Sequence, residues 1–463
     1  MSTRREFLTS ALAAAPLQKA IGADSRKWNL LIITNDQHRA DCLGCYGNPV
    51  IRTPHTDRLA SEGVRFANHF VHAPQCVPSR VSMHTGRYPH VHRVPSNAYV
   101  LPESEITLAK VLNQHGYKTA CVGELPFAPR SYVGGFQQSL ASNREYDNFL
   151  ASHGLKFPSD ASGPFQAKPV PWTDDVDETA FFAGHARQFL QANRENPFFL
   201  HINFRRPHHP FNPPAPFDKM YLGAKFPASH TRAGEMANKP PQQQAAIENS
   251  VGFDLRTLTP EALDRVKAYY YGMISENDKY IGTVLDELER SGLRDRTIVV
   301  FNADHGEMLG DHGLLFKGSY MYDGVVQVPL IVRAPRKLPA GKVVDSLCEE
   351  VDLMPTLLNL LDIDVPLGVQ GQSLMGKPKA AVFAEFPTIK MARTKDWKLV
   401  HYNKAHHGEL YHLAEDPHEL VNLYADANHA STRADMEGVL SDWLASSQDP
   451  KLAPVRDPSE PGK

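Results

Sequence analysis

Asn29-Leu30-Leu31-Ile32-Ile33-Thr34 runs straight into Asn35-Asp36-Gln37. The first six residues form a short apolar run bounded by polar ones, which predicts a buried strand over 29–34. The next three carry carboxylate and amide oxygens at the strand's carboxyl end, where open α/β sheets place their ligands. The same succession returns along the chain. Residues 118–122, 197–204, 297–301 and 328–333 each read as a further strand.

Helical patterns separate these runs. Ser104 is a candidate cap for a helix with Leu108, Val111 and Leu112 on its apolar face, ending at Gly116. Residues 179–193 read as a second helix. A long one starts with Thr259 as cap and Pro260 in its first turn and stops at Gly292. Asp352 is a candidate cap for another, running through Leu361. Residues 210–258, rich in Pro, Ala and Gln, read as a long excursion over the surface that faces the substrate. Strands alternating with helices predict an α/β fold: a large, mostly parallel sheet covered on both faces. After about residue 375 the pattern changes. Phe383-Ala384-Glu385-Phe386, Trp397-Lys398-Leu399-Val400-His401-Tyr402 and Glu409-Leu410-Tyr411-His412-Leu413 read as short antiparallel strands, closed by a helix over 430–445. The predicted division is a signal segment over 1–27, a catalytic domain over 28–375 and a small α+β subdomain over 376–463.

With 463 residues, the chain is long enough for one large α/β domain and a smaller one. Its formal charge of −3 offers no basic footprint for nucleic acid. Five cysteines are too few and too irregularly spaced for a disulfide framework. Cys42 and Cys45 lack a second such pair and read as small buried residues rather than as a zinc or redox site. Near the N-terminus, Ser2-Thr3-Arg4-Arg5-Glu6-Phe7-Leu8 resembles a twin-arginine export signal, with an apolar stretch over 7–17 too short to span a bilayer. The expected location is therefore periplasmic or extracellular, with no membrane span.

Four strand ends collect polar or titratable groups: Asp36 and Gln37; Glu124; Arg205-Arg206-Pro207-His208-His209-Pro210; and Asp304, His305 and Glu307. Asp36, Gln37, Asp304 and His305 offer mainly hard oxygen donors, which favour calcium, magnesium or manganese over zinc. Standing alone, Asp304-His305-Gly306 would be an ordinary polar turn. In Cys76-Val77-Pro78-Ser79-Arg80, Pro78 and Ser79 suit a helix start. The free N–H groups of a helix N-terminus stabilise anions, and Arg80 adds a fixed positive charge. The plainer reading is a buried cysteine before a Pro-Ser turn.

At this motif the sequence resembles the sulfatase family, whose signature is Cys-x-Pro-Ser-Arg followed by Thr-Gly-Arg, here Cys76–Arg80 and Thr85-Gly86-Arg87. Further segments match in order. They are Leu43-Gly44-Cys45-Tyr46-Gly47-Asn48, Pro207-His208-His209-Pro210, Asp304 through Gly313 with Lys317-Gly318, and Glu409-Leu410-Tyr411 with Glu415-Asp416-Pro417, Glu419 and Asn422-Leu423. The resemblance implies the alkaline-phosphatase-like fold and hydrolysis of a sulfate ester, a sulfated carbohydrate being one candidate substrate. It implies that a formylglycine-generating maturation enzyme oxidises Cys76, and that the aldehyde hydrates to a diol. One diol oxygen attacks sulfur and expels the alcohol; the other then drives collapse to the aldehyde with loss of sulfate. A thiol has no second hydroxyl to complete that cycle. By the same analogy Asp36, Gln37, Asp304 and His305, with residue 76, hold a divalent cation, calcium first, with magnesium and manganese as alternatives. Arg80 holds the diol, Lys317 and His208 bind sulfate, and His208 is the candidate acid for the leaving alcohol.

Two departures stand out. Many sulfatases have paired aspartates where this chain has Asn35-Asp36, so Asp36 and Gln37 are the expected ligands and Asn35 is held in reserve. Where the family has Gly-Lys-x-His, this chain has Gly123-Glu124-Leu125-Pro126. A carboxylate about 4 Å from an anion opposes it by about 4 kcal/mol at an effective dielectric of about 20. Glu124 must therefore turn away, pair with an arginine such as Arg130, or meet a hydroxyl or cation of the substrate. Glu124 and Asn97 are the candidate pocket residues. The alternatives are a phosphonate monoester or phosphodiester hydrolase of the same superfamily, and an inactive binding protein with this fold.

Overall fold

The structure, a computed structural model, describes residues 27–129, 132–158 and 167–449. The twin-arginine-like motif and its apolar stretch lie outside the described residues, as does Arg130. Among the described residues no helix is long and apolar enough to cross a membrane.

Eight strands form the main sheet: β1 (Asn29–Asp36), β2 (Val64–Phe70), β3 (Lys118–Gly123), β4 (Gln138–Leu140), β5 (Phe198–Pro207), β6 (Thr297–Ala303), β7 (Gln327–Arg333) and β8 (Lys342–Glu349). Their order is β4-β3-β5-β1-β6-β7-β2-β8. Only β7 runs against its neighbours β6 and β2; the other pairs in the sheet are parallel. Every residue of β1 is buried, and its side chains alternate between two layers. Leu30 and Ile32 pack with Leu108, Leu112, Leu353 and Leu357 of the Leu108–Gln114 and Leu353–Leu360 helices. Leu31 and Ile33 pack with Phe182, Ala186, Ile281 and Val284 of the Glu178–Ala192 and Pro260–Arg290 helices. Each such side chain contributes roughly 1.5–3 kcal/mol of burial, which holds β1 at the centre of the sheet. The expected mostly parallel sheet with helices on both faces is therefore present.

Several local expectations need correction. The Leu108–Gln114 helix is capped by Thr107, whose Oγ1 accepts from Lys110 N at 3.2 Å, and not by Ser104. Thr107 directly precedes the first helical residue, where a cap must sit to reach the free N–H groups. The Glu178–Ala192 helix starts one residue earlier than expected because Asp177 caps it. Asp352 precedes its helix but makes no capping bond; its carboxylate accepts from Glu349 N and Gln372 N instead. Residues 210–258 run largely over the surface, as expected, but are anchored at scattered points. Phe211, Tyr221, Ile247 and Leu255 are buried against the long helix, and the segment includes the Pro241–Glu248 helix. Lys239 donates to Tyr411 Oη at 2.8 Å and Gln243 to Glu409 Oε2 at 3.0 Å, so the segment seats the C-terminal sheet.

That second sheet is antiparallel, in the order β12-β11-β10-β9, with β9 (Ala381–Phe386), β10 (Ile389–Thr394), β11 (Trp397–Tyr402) and β12 (Gly408–His412). One face (Val382, Ala384, Met391, Val400) packs on Phe70, Val326 and Val328. The other (Ala392, Leu399, Leu410) packs on Met436, Leu440 and Trp443 of the Ala430–Ser446 helix.

Glu385 of β9 ties this sheet to the segment after the Cys76 helix. Its carboxylate accepts from His90 N at 2.8 Å and His90 Nδ1 at 2.7 Å and pairs with Lys390. Burial alone would raise it; the His90 and Lys390 interactions outweigh burial and lower its pKa from 4.5 to about 2. A carboxyl depressed on folding stabilises above its unfolded pKa and loses that contribution as the pH falls through its folded value. The shift corresponds to roughly 3 kcal/mol. The urea midpoints of wild type and Glu385→Gln should therefore converge between about pH 5 and pH 2. A gap that does not change with pH would show that the carboxylate charge is not responsible.

Candidate active site

Strands β3, β5, β1 and β6 are consecutive neighbours and all parallel. Their carboxyl ends therefore meet along one edge of the sheet, which is why Glu124, the 205–210 loop, Asp36 and Asp304 converge from four distant parts of the sequence. The Cys76–Thr85 helix points its first turn at that edge. Asn97 Oδ1 accepts from Val77 N at 3.0 Å and so satisfies a free donor of that turn.

One ligand atom from each of Asp36, Cys76, Asp304 and His305 lies within 4.8 Å of all the others. His305 Nε2 is 3.2 Å from Cys76 Sγ and 3.4 Å from Asp36 Oδ1. Its other nitrogen faces the Gly306 carbonyl oxygen at 2.9 Å, which leaves Nε2 as the lone-pair side of a neutral ring. Arg80, 1% exposed, spreads its three nitrogens over three carboxylates. Nε reaches Asp304 Oδ2 at 2.8 Å, Nη2 reaches Asp36 Oδ2 at 2.6 Å and Nη1 reaches Glu124 Oε2 at 3.1 Å. Glu124 thus faces the site, through Arg80.

Electrostatics divide the two aspartates. Burial pushes Asp36 up, but the positive charges of Arg80 and Lys317 outweigh it and hold this carboxyl well below the usual range. Burial and the neighbouring Asp36 charge raise Asp304. Burial, then Asp36, push the Cys76 thiol far up, so a bare thiol here stays protonated at neutral pH. Burial and Lys317 hold His208 neutral, and burial also lowers His305.

A cavity of about 520 Å³ opens over this cluster. Asp36, Cys76, Arg80, His208, His209 and Lys317 line it, and Asn97, Glu124, Leu125, Phe127, Asn143 and Arg205 are among the other residues of its wall. The expected site residues Asp36, Cys76, Arg80, His208, Lys317, Glu124 and Asn97 therefore border one space, with Asp304 and His305 buried behind it. Gln37 lies beside them, its Oε1 accepting from Lys317 Nζ at 2.7 Å. Asn35 is turned away toward His38 Nδ1, 3.0 Å distant. None of the residues 210–258, expected to face the substrate, lines this cavity.

Asn143 and Arg205 are polar lining residues to which the sequence reading assigns no role in the pocket. Asn143 follows the short edge strand β4, which has no apolar signature. Arg205 was visible only as half of an Arg-Arg pair. Its neighbour Arg206 is buried on Asp177, at 2.8 Å, and Glu276, at 3.3 Å, while Arg205 borders the cavity.

Because Glu124 adds a negative charge beside Arg80, Glu124→Lys should lower the inhibition constant of free sulfate by at least about tenfold, a fraction of the pairwise limit at this range. An unchanged inhibition constant would show that a bound anion does not sense residue 124.

Sequence comparison matches residues 28–363 to the sulfatase family and residues 310–445 to the N-sulphoglucosamine sulphohydrolase C-terminal family. An arylsulfatase of Clostridium perfringens is 30% identical over 439 residues, covering 86% of this chain and 90% of the relative. An N-acetylglucosamine-6-O-sulfatase of Bacteroides thetaiotaomicron is 26% identical, covering 94% and 89%. Among solved structures, a phosphonate monoester hydrolase of Agrobacterium radiobacter superposes with a TM-score of 0.84 at 29% identity, covering 92% of this chain and 97% of that one.

Proposed function

The chain belongs to the sulfatase family of sulfuric ester hydrolases, and on that premise we propose that it cleaves the sulfate ester of a carbohydrate with a formylglycine made from Cys76 and a divalent cation. The observation that carries this reading is the convergence of Asp36, Cys76, Asp304 and His305 within 4.8 Å at the floor of the cavity.

The donor set suits a cation. Two buried carboxylates share one guanidinium, and a neutral imidazole and an amide oxygen stand beside them. Hard oxygens at this density fit calcium, with magnesium or manganese as substitutes. Asp36, Gln37, Asp304, His305 and the modified residue 76 would hold the ion, which when bound polarises a sulfate oxygen and favours an ionised nucleophile. The aldehyde, once hydrated, supplies a hydroxyl to attack sulfur and a second to release the product.

The remaining work falls to the chain's own side chains. Lys317 binds a sulfate oxygen. Arg80, locked by three carboxylates, fixes the oxygen of residue 76 and keeps Asp36 and Asp304 apart. Burial and Lys317 favour a neutral His208; a bound anion offsets the field of Lys317 and favours its charged form, so its proton is in place for the leaving alcohol. Asn97, Asn143 and Arg205 give the outer wall donors for hydroxyl groups, and the cavity has room for a sugar ring beyond the sulfate. The sulfatase of Bacteroides thetaiotaomicron that acts on N-acetylglucosamine-6-O-sulfate supports a carbohydrate alcohol. The N-terminal motif supports export, after a maturation enzyme has acted on Cys76.

The second reading is a phosphonate monoester or phosphodiester hydrolase. It is favoured by Glu124 and Pro126 at the places of the family lysine and histidine, and by likeness to the phosphonate monoester hydrolase structure. Two measurements separate the readings. A mass spectrum of the Cys76 peptide, from protein made with the maturation enzyme present, should show the aldehyde. A wholly unmodified thiol would instead support an inactive binding protein. Paired assays on an aryl sulfate and a phosphonate monoester should favour the sulfate; faster turnover of the phosphonate would overturn the assignment.

A further inference from the structure

Glu307 lies three residues after Asp304 and is fully buried, yet it borders neither Cys76 nor the cavity. Every hydrogen-bond partner it has is a donor. Oε1 accepts from Leu309 N at 3.0 Å and from Phe316 N, and Oε2 accepts from Gln37 Nε2. The carboxylate is thus anchored to the loop on one side and presents a single oxygen to one amide on the other.

Gln37 is equally constrained. Its backbone N–H donates to Asp304 Oδ1 at 3.1 Å, its carbonyl accepts from Tyr270 Oη at 2.6 Å, and its φ of 64° is left-handed, unusual for a residue with a side chain. The backbone therefore fixes where the side chain starts, and the end groups decide only which way the amide faces. Nε2 meets Glu307 and lies 3.3 Å from His209 Nδ1, while Oε1 meets Lys317 Nζ at 2.7 Å. Turning the amide over would set its NH2 against an ammonium and its oxygen against a carboxylate, losing both bonds at once.

We infer that Glu307 is a positioning residue: it holds the Gln37 amide so that the carbonyl oxygen, and never the NH2, is turned toward Lys317, which borders the same cavity as Asp36 and Cys76. The inference rests on the reading that the acidic cluster holds a divalent cation. A cation accepts an amide oxygen as a ligand and is repelled by an amide NH2. Partners that orient metal ligands are commonly worth about 10–100-fold in affinity.

The competing explanation is that Glu307 only braces the 309–316 loop. Glu307→Gln distinguishes the two. Its Oε1 keeps both backbone bonds, but its new NH2 meets the Gln37 NH2 and forces that amide to turn. In the full chain, Glu307→Gln should weaken Mn2+ binding by about 10–100-fold in titration calorimetry, with the thermal midpoint held close to wild type. The double variant Glu307→Gln with Gln37→Glu returns an oxygen to each side and should recover affinity to within about threefold of wild type. Glu307→Asp keeps the acceptor but draws it back from Gln37; it should weaken binding in the same direction and serves if the Gln variant does not fold. Unchanged Mn2+ affinity in the single variants, or a double variant no better than Glu307→Gln, overturns the inference. Wild-type protein that binds no Mn2+ overturns the cation site itself, and this inference with it.

Discussion

Cys76→Ala is expected to reduce turnover of an aryl sulfate by roughly 10⁴-fold or more, the scale seen when a covalent nucleophile is removed. The loss should come without unfolding. Cys76 is the first residue of its helix, and Asn97 and the Ser79–Asp304 contact, 2.5 Å from Ser79 Oγ to the Asp304 carbonyl, hold that turn independently of the thiol. Alanine keeps the helix and removes the only atom at this position that reaches both His305 and Asp36. The thiol itself is no substitute for the aldehyde, because burial and Asp36 keep it protonated. The measurement is kcat with a parallel thermal melt. A folded Cys76→Ala protein that retains a few per cent of activity would contradict the role given to residue 76.

Arg80→Ala should cost about 3–5 kcal/mol of stability, the range for breaking a buried ion pair and leaving its partner charged. Arg80 is the shared cation of Asp36, Asp304 and Glu124, and the side chains of the two aspartates are 2% and 0% exposed. Lysine should not rescue it, since one ammonium cannot meet three carboxylates in the fork geometry of a guanidinium. Urea unfolding measures the loss. A change under about 1 kcal/mol would mean that water or another cation already neutralises the cluster.

Much of this architecture is legible in the sequence because it is written in local signals. The buried runs at β1, β3, β5 and β6 have the continuous apolar character of strands covered on both faces. The Cys76 helix announces itself through Pro78 and Ser79. Strands β2, β4, β8 and β10 escape such a reading because their polar residues look like loop. In β10, Lys390 and Arg393 break the apolar run, and their partners Glu385 and Asp323 are visible only once the chain is folded. Residues 210–258 conceal their anchors for the opposite reason. Proline and glutamine dominate the composition, while a few well-spaced aromatic and aliphatic side chains do the burying. At the site, the candidate cluster follows mostly from residues at strand ends, but the partner of Glu124 does not. Arg80 lies 44 positions away in sequence, and no local pattern links them.

The position of β6 between β1 and β7 has a consequence for how the molecule could be divided. A cut within 223–232 would leave Asp36, Gln37, Cys76, Arg80 and His208 on one fragment and Asp304, His305 and Lys317 on the other. Each half would carry part of the candidate cation site, and the sheet would part at more than one seam, between β1 and β6 and on both sides of β2, which lies between β7 and β8. Such fragments would be silent alone and would regain chemistry only on docking strand to strand, which makes this fold a natural scaffold for a complementation sensor.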